Sequence, residues 1–310
     1  MTDAPAEDRL ASLAAELRAE CAAEIDCRTV GHFNHRPWLR QTFLKVPREY
    51  FVPDQVWWPT PRDDGLHHVI DRRERPRAWL KGVYRPRASL ITQVADGAVL
   101  PEDGPTDAPF TSAVSCSAVV VDMLHYLDPG PDDTALEIGT GSGYSTAILA
   151  HRVRPESLVT IEIDEQLADR ARKALAGLGL HPTVVAGDGE AGYPVRGPYT
   201  RIISTAAVQE IPQAWLDQAA PGAIVVAPLH GPFGHDALLR LVADGQGGGT
   251  GRLVTGVAFM KMRGQRADRS FAELGWPTAD GPWPAYADAD YRVTVGGGRQ
   301  QIQIHRASRT

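Results

Sequence analysis

Short apolar runs alternate with amphipathic stretches from about residue 112 to residue 262 of the chain. Short runs bounded by turn residues are typical of buried strands, and apolar positions spaced three and four apart are typical of helices. The pattern predicts strands at 134–138, 158–163, 183–186, 201–204 and 223–227, and helices at 118–127, 144–151, 165–178 and 212–219. Because strands that alternate with helices form βαβ units, we expect an α/β fold with a doubly wound, mostly parallel sheet.

Two further apolar runs end this region without a helix between them. They cover 238–242 and 254–262, and only the glycine-rich stretch 245–251 separates them. A short glycine-rich connection is typical of an antiparallel pair. The pair would bring the sheet to seven strands.

The two ends of the chain lack this regular alternation of strands and helices. Leu10, Leu13, Leu17 and Cys21 have helical spacing, which predicts a helix at 7–26, and a second helix is expected at 37–46. Irregular structure is expected at 51–64, a mobile loop at 95–109, and a polar tail at 264–310 with one strand at 300–305. We therefore expect an N-terminal helical and substrate-recognition region (1–111), a catalytic core (112–263) and a C-terminal extension (264–310).

Composition and charge narrow the class of protein. The chain has 310 residues, a formal net charge of −6 and three cysteines. No apolar run reaches the roughly 20 residues of a membrane span, and residues 1–20 show no apolar secretory segment. The cysteines and histidines lack metal-ligand spacing. We expect a cytoplasmic protein with reduced thiols, no metal, and neither nucleic acid nor membrane as partner.

The strongest local signal is a glycine turn that follows the first core strand. Gly139, Gly141 and Gly143 fall at every second position, and Glu137 lies two residues before the first of them. Such a turn lets the backbone approach a ligand closely at the start of a helix. Glu162, at the end of the next strand, is placed to bind a ribose diol, and Asp188 follows the third strand. A nicotinamide dinucleotide is an alternative ligand, although its usual Gly-x-Gly-x-x-Gly spacing is absent.

Taken in order, these residues resemble a class I, Rossmann-like methyltransferase that depends on S-adenosylmethionine. The segment LEIGTGSGYSTAILAHRV at 136–153 is similar to the first motif of protein-L-isoaspartate O-methyltransferases. PREYFVP at 47–53, VAGDGEAGYP at 185–194 and PYTRIISTAAVQEIP at 198–212 are similar to other motifs of that family. The resemblance covers most of 43–262, with a poor match at 56–109.

The resemblance implies a set of residues that bind S-adenosylmethionine. The glycine turn would surround its methionine part, Glu162 would hold the ribose, and Asp188 with Gly189 would hold the adenine. The complete set is Glu137, Gly139, Thr140, Gly141, Ser142, Gly143, Glu162, Ile163, Asp188, Gly189, Thr205 and Ala206.

The resemblance also implies a serine that contacts the acceptor carboxylate. Counting back from Glu137 gives Ser115, with Ser112 and Thr111 as further candidates. Ser115 could instead cap the helix that follows. Ser117 stands where the family has proline, which is one departure from its pattern, and Thr200 follows Tyr199 where the family usually has Asp.

The family resemblance leaves the acceptor open between two substrates. A dedicated enzyme would methylate an ordinary Asp of a ribosomally made, modified peptide, and the ester would close to succinimide and then isoaspartate. A general repair enzyme would methylate isoaspartate in damaged proteins. The long segment 56–109, Ser117 and the tail favour the dedicated enzyme. An NAD-dependent oxidoreductase and a non-catalytic binding module are the alternatives outside the family.

A cluster of arginines bears on the choice of substrate. Residues 71–87 contain six arginines and Lys81. Such a stretch suits an acidic peptide by charge complementarity, although a solvated surface explains it equally well. Nucleic acid is less favoured, because Trp79 and Tyr84 are the only aromatic residues in the stretch.

Overall fold

The fold is taken from a computed structural model that describes residues 6–27, 33, 36–278 and 281–306. Parts of the predicted N-terminal region (1–5, 28–32 and 34–35) and of the predicted C-terminal extension (279–280 and 307–310) lie outside the described residues. The helices are α1 (Ala6–Asp26), α2 (Pro37–Lys45), α3 (Pro76–Val83), α4 (Ser117–Leu127), α5 (Tyr144–Ala150), α6 (Glu165–Gly177) and α7 (Gln213–Asp217). The strands are β1 (Gln55–Trp57), β2 (Val69–Asp71), β3 (Leu90–Val94), β4 (Phe110–Val114), β5 (Ala135–Ile138), β6 (Leu158–Glu162), β7 (Thr183–Ala186), β8 (Tyr199–Ser204), β9 (Ala219–His230), β10 (Asp236–Ala243), β11 (Gly249–Val257), β12 (Ala289–Gly296) and β13 (Arg299–Arg306).

The chain forms two compact units that interleave along the sequence. The first unit contains 1–125, 141–148 and 170–178, and the second contains 126–140, 149–169 and 179–310. The proposed division of roles among 1–111, 112–263 and 264–310 stays a prediction.

The first unit contains an antiparallel sheet of four strands in the order β2-β1-β3-β4. Its apolar core is formed by Trp57, Ile91 and Val94, against which Val69 and Phe110 pack. The core holds together strands that are themselves too short to be stable alone. β4 leads directly to Ser115 and α4.

The second unit contains a sheet of nine strands in the order β13-β12-β11-β10-β9-β8-β5-β6-β7. The five strands from β9 to β7 in this order pair in parallel, and the strands from β9 to β13 pair antiparallel. The carboxyl ends of β5, β6, β7 and β8 therefore lie at one edge, and the strand order reverses at β5. Ligands of open α/β sheets bind at this kind of position.

The doubly wound α/β class is confirmed, and so is the antiparallel pair β10 and β11. The sheet is two strands wider than the predicted seven, because β12 extends it and pairs with β13. The irregular stretch at 51–64 contains β1, and the arginine-rich stretch contains α3. β11 begins at Gly249, inside the predicted turn at 245–251.

Within the described residues, no helix combines the length and the apolar character needed to cross a bilayer.

Candidate active site

The glycine turn after β5 is held in place by protein contacts. Gly139 has φ +87°, and a Cβ there would lie 2.6 Å from Oγ1 of Thr205. The Thr205 hydroxyl donates to the carbonyl of Gly139, and the amides of Gly139 and Thr140 donate to the carbonyl of Ile161 at 2.8 and 3.1 Å. Only glycine fits this position, because both the positive φ and the close contact exclude a side chain. Thr205 supports the turn from the end of β8.

A buried acid stands beneath the turn. Glu137 is fully buried on β5, and its carboxylate accepts from Oγ1 of Thr160 at 2.9 Å. Oγ1 of Thr140 lies 2.7 Å from Oγ1 of Thr160. A chain of hydrogen bonds thus links Glu137 to the turn, and this geometry suits support of the loop from below.

The end of β6 presents an acid beside an apolar side chain. Glu162 is 7% exposed, and its Oε1 accepts from the amide of Asp164 at 3.1 Å, which orients the carboxylate. Ile163, the next residue, is 42% exposed, which is unusual for a large apolar side chain. A carboxylate and an exposed apolar surface together can bind a ribose diol and the face of a flat ring.

The end of β7 turns sharply at Gly189. Asp188 caps the turn, and its Oδ1 accepts from the amide of Glu190 at 2.9 Å. A Cβ on Gly189 would collide with the side chain of Ile138, and Nε1 of the buried Trp215 donates to the Gly189 carbonyl at 2.8 Å. The Asp188 side chain is exposed, so its second oxygen can accept from an amino group of a ligand.

The first unit contains Gly141, Ser142 and Gly143 of the glycine turn and all three serine and threonine candidates. A Cβ on Gly141 would lie 4.0 Å from Oγ of Ser112, so these residues are close neighbours. Ser112 is buried and accepts from Oγ1 of Thr92 at 3.1 Å. Oγ1 of Thr111 donates to Gln93 at 3.0 Å. Both hydroxyls are thus engaged within the sheet.

Two more residues of the turn belong to the first unit. Gly143 is buried against α6, where its Cβ position lies 3.4 Å from Ala171 and 3.5 Å from Leu175. Ser142 is half-buried. Gly143 therefore has a packing role, and Ser142 is the side chain of the turn that a ligand can reach.

Ser115 lies between β4 and α4 and is half-buried. Within the described part of the chain its hydroxyl has no hydrogen-bond partner, in contrast to Ser112 and Thr111. A hydroxyl in this state can donate to a carboxylate oxygen of a substrate without breaking an existing bond.

Sequence reasoning missed Arg48, which fixes the segment that carries Ser115. Arg48 is fully buried, and its Nη2 donates to the carbonyls of Val114 at 3.1 Å and Ser115 at 2.7 Å. Its Nη1 donates to the carbonyl of Val83, and the guanidinium lies 5.8 Å from the ring centre of Tyr144. Burial lowers the pKa of Arg48 below its usual value. The signal was present in PREYFVP, where Arg48 and Glu49 are charged residues within a segment that is otherwise mostly apolar.

The residues at the edge of the second unit's sheet fit an adenine nucleoside with a methionine tail. Gly139 and Gly189 let the two turns pack closely against Thr205 and Ile138. Glu162 and Asp188 supply two acceptors at the ends of adjacent strands, and Ile163 supplies an apolar surface. Among the described residues, no group of three or more His, Cys, Asp or Glu is arranged to hold a metal ion.

Comparison with protein families gives a match over the core. Residues 88–267 match the model of the family Protein-L-isoaspartate(D-aspartate) O-methyltransferase. A protein-L-isoaspartate O-methyltransferase of Ignicoccus hospitalis is 38% identical over 214 residues, which are 68% of this chain and 82% of that protein.

Two solved structures share the fold. One is a protein-L-isoaspartate O-methyltransferase with a TM-score of 0.61 and 17% identity, aligned over 93% of this chain and 88% of the other. The second is a protein-L-isoaspartate O-methyltransferase from Plasmodium falciparum in complex with S-adenosyl-L-homocysteine, with a TM-score of 0.51 and 14% identity over 81% of this chain and 97% of the other.

These comparisons confirm the predicted enzyme class, a protein carboxyl O-methyltransferase that uses S-adenosylmethionine and acts on protein or peptide substrates. They favour the isoaspartyl alternative over the dedicated peptide-modifying enzyme, and they give no support to an NAD-dependent oxidoreductase. The family match covers more than half of the chain, and the chain covers 82% of its Ignicoccus relative. The chain belongs to the protein-L-isoaspartate (D-aspartate) O-methyltransferase family.

Proposed function

We propose that this chain methylates the free carboxyl group of isoaspartyl residues in proteins and peptides, as a repair enzyme. The observation that carries the proposal is the family match at 88–267, because this range contains Ser115 and every candidate cofactor residue. S-adenosylmethionine, when bound, supplies an electrophilic methyl group on its sulfonium. A carboxylate is already ionised near neutral pH, so the chain needs no general base.

The chain's own residues then have two tasks. Gly139, Glu162 and Asp188 hold the methyl donor at the edge of the second unit's sheet. The Ser115 hydroxyl donates a hydrogen bond to one oxygen of the acceptor carboxylate and leaves the other oxygen free to attack. Correct alignment of reacting atoms accounts for a large part of such a rate enhancement. The methyl ester that forms can close to succinimide with loss of methanol.

The cofactor assignment has a direct test at Glu162. Replacing Glu162 with alanine removes the acceptor for the ribose, and we expect about a tenfold weaker affinity for S-adenosyl-L-homocysteine in calorimetry, or about 1.4 kcal/mol. Glu165→Ala is the matched control, since Glu165 is exposed at the start of α6. Equal affinity of the Glu162 variant and the wild type would contradict the assignment.

The acceptor is tested with two peptides that differ only in one linkage. We expect methyl gain on a peptide with isoaspartate and none on the same peptide with ordinary Asp, measured by mass spectrometry with S-adenosylmethionine present. The two linkages place the free carboxylate at different distances from the peptide backbone. This difference is enough to misalign the carboxylate oxygen with the methyl group. Methylation of the Asp peptide alone would reverse the conclusion.

One observation keeps the narrower function as a second candidate. Arg75, Lys81 and Arg85, in the arginine-rich stretch, are exposed and have no ion-pair partner among the described residues, as expected of a surface that receives an acidic peptide. A ribosomally made, modified peptide encoded beside the gene would then be methylated at Asp. Competition between that peptide and a generic isoaspartyl peptide decides between the two. The cytoplasmic location and the exclusion of nucleic acid and membrane stay predictions.

A further inference from the structure

A cleft of about 590 Å³ lies between β2 and α3 in the first unit. Its apolar wall includes Trp58, Val69 and Ile70, all half-buried. Trp58 packs against α3, where a Cβ on Gly82 would lie 2.9 Å from its ring. The cleft is therefore lined by side chains of both elements, and its width depends on the absence of a side chain at Gly82.

Four cations line the cleft: Arg62, Arg75, Lys81 and Arg85. All four are exposed, and in the described part of the chain none has a carboxylate within 4.0 Å.

The other arginines near the cleft are paired with a carboxylate, and the carboxylates that line the cleft are fewer than the cations. Arg72 and Arg73, in the same stretch, both pair with Asp54, at 3.7 and 3.3 Å. Two carboxylates, Asp71 and Glu74, also line the cleft, and Asp71 accepts from Nε2 of Gln55 at 2.8 Å. Four cations against two carboxylates leave the cleft positive.

The strand beside the cleft has one open edge position. Across the described residues β2 pairs with β1 alone. The carbonyl of His68 accepts from the amide of Trp58, and the amide of Arg72 donates to the carbonyl of Asp54, on either side of β1. By the alternation of antiparallel strands, the backbone groups of Val69 therefore point away from β1. The carbonyl of Asp71 is taken by the amide of Arg75 at 2.9 Å. An extended peptide can add to the edge at Val69, and its side chains can reach the cations.

We propose that this cleft binds an extended segment of the peptide substrate that is rich in Asp and Glu. The inference rests on the proposed action on peptides and adds a class of sequence that the enzyme prefers. Charge complementarity and the apolar wall favour a peptide. Single-stranded nucleic acid fits less well. Among the described residues that line the cleft, Trp58 and His68 are the only aromatic rings, and Nε2 of His68 lies 2.7 Å from a carboxylate oxygen of Asp64. Trp79 and Tyr84 of the arginine-rich stretch are buried.

The experiment measures binding of a labelled peptide of alternating Glu and Gly by fluorescence anisotropy, without cofactor. The double variant Arg62→Glu/Lys81→Glu should bind about tenfold more weakly than the wild type, because two attractive pairs become repulsive. Arg77→Glu/Arg87→Glu is the matched control. It reverses two exposed arginines of the same stretch that do not line the cleft, and should change affinity less than about twofold. Gly82→Ala should also weaken binding, since Trp58 must shift.

Three results would overturn the proposal. They are equal binding of the corresponding Gln and Gly peptide, equal effects of the two double variants, and tighter binding of a single-stranded oligonucleotide at the same site. Methylation of a neutral isoaspartyl peptide should be the same in the cleft variant and the wild type. Absence of methylation in the wild type would reject the proposed function alone, because the anisotropy result does not depend on turnover.

Discussion

Replacing Arg48 with methionine should lower the free energy of unfolding by about 3 kcal/mol. The buried guanidinium donates to the carbonyls of Val83, Val114 and Ser115, and methionine cannot replace these three hydrogen bonds. Each buried acceptor left unsatisfied costs about 1–3 kcal/mol, and removal of the buried charge offsets part of the sum. Urea denaturation followed by tryptophan fluorescence measures the change.

Arg40→Met is the matched control for this variant. Arg40 is 45% exposed and pairs with Asp26 at 2.9 Å, so its removal should cost less than about 1 kcal/mol. Arg48→Lys keeps a charge but has one nitrogen instead of three, so the folded variant should lose kcat/KM while keeping its affinity for S-adenosyl-L-homocysteine. Unchanged kcat/KM in Arg48→Lys would show that Arg48 only stabilises the fold.

Replacing Ser115 with alanine should lower kcat/KM for an isoaspartyl peptide by about 10²-fold, with cofactor affinity unchanged. The hydroxyl of Ser115 is half-buried and uncommitted among the described residues, and its backbone is held by Arg48. Loss of the hydroxyl removes the donor that we propose orients the carboxylate, while the glycine turn and Glu162 are unchanged. Steady-state kinetics and calorimetry on the same preparation separate these two effects.

Ser112→Ala and Thr111→Val test the alternative assignments. Their hydroxyls already bond to Thr92 and Gln93, so their loss should affect stability more than turnover. A larger fall in kcat/KM for Ser112→Ala than for Ser115→Ala would transfer the role to Ser112, which is the neighbour of Gly141.

The sequence predicts the parallel part of the second unit's sheet well, because β5 and β6 are buried along their whole length and the turns after the strands have distinct residues. β5, β6 and β7 read as apolar runs that end at Gly139, Glu162 and Gly187. The sequence signal for each of these strands is local, because the apolar run and the turn that ends it lie within a few residues of each other. Ends of elements differ by a few residues, as β9 shows by reaching from Ala219 to His230.

Two parts of the fold needed long-range information. β1 and β2 have three residues each, too few to show alternation, and pairing with β3 and β4 stabilises them. β12 does alternate, with Ala289, Tyr291, Val293 and Val295 facing the core, and the polar, glycine-rich surroundings concealed this signal.

The residues of the candidate site also fall into those that local sequence predicts and those that depend on long-range contacts. Glu162, Asp188 and the glycine turn follow strand ends, so the topology places them without further information. Arg48 acts on Ser115 across 67 residues of sequence, and no local pattern encodes that contact. The Ser115 hydroxyl has no hydrogen-bond partner among the described residues, and this too depends on neighbours that are distant in sequence.

The hydrogen bonds that hold the glycine turn at Gly139 have a consequence for cofactor binding. The hydroxyl of Thr205 and the carbonyl of Ile161 hold the turn through contacts within the protein alone. A segment that is ordered before its ligand arrives loses little conformational entropy on binding. In the proposed function, the entropy of ordering the turn is lost once, when the chain folds, and each incoming methyl donor meets a turn that the protein already holds in place.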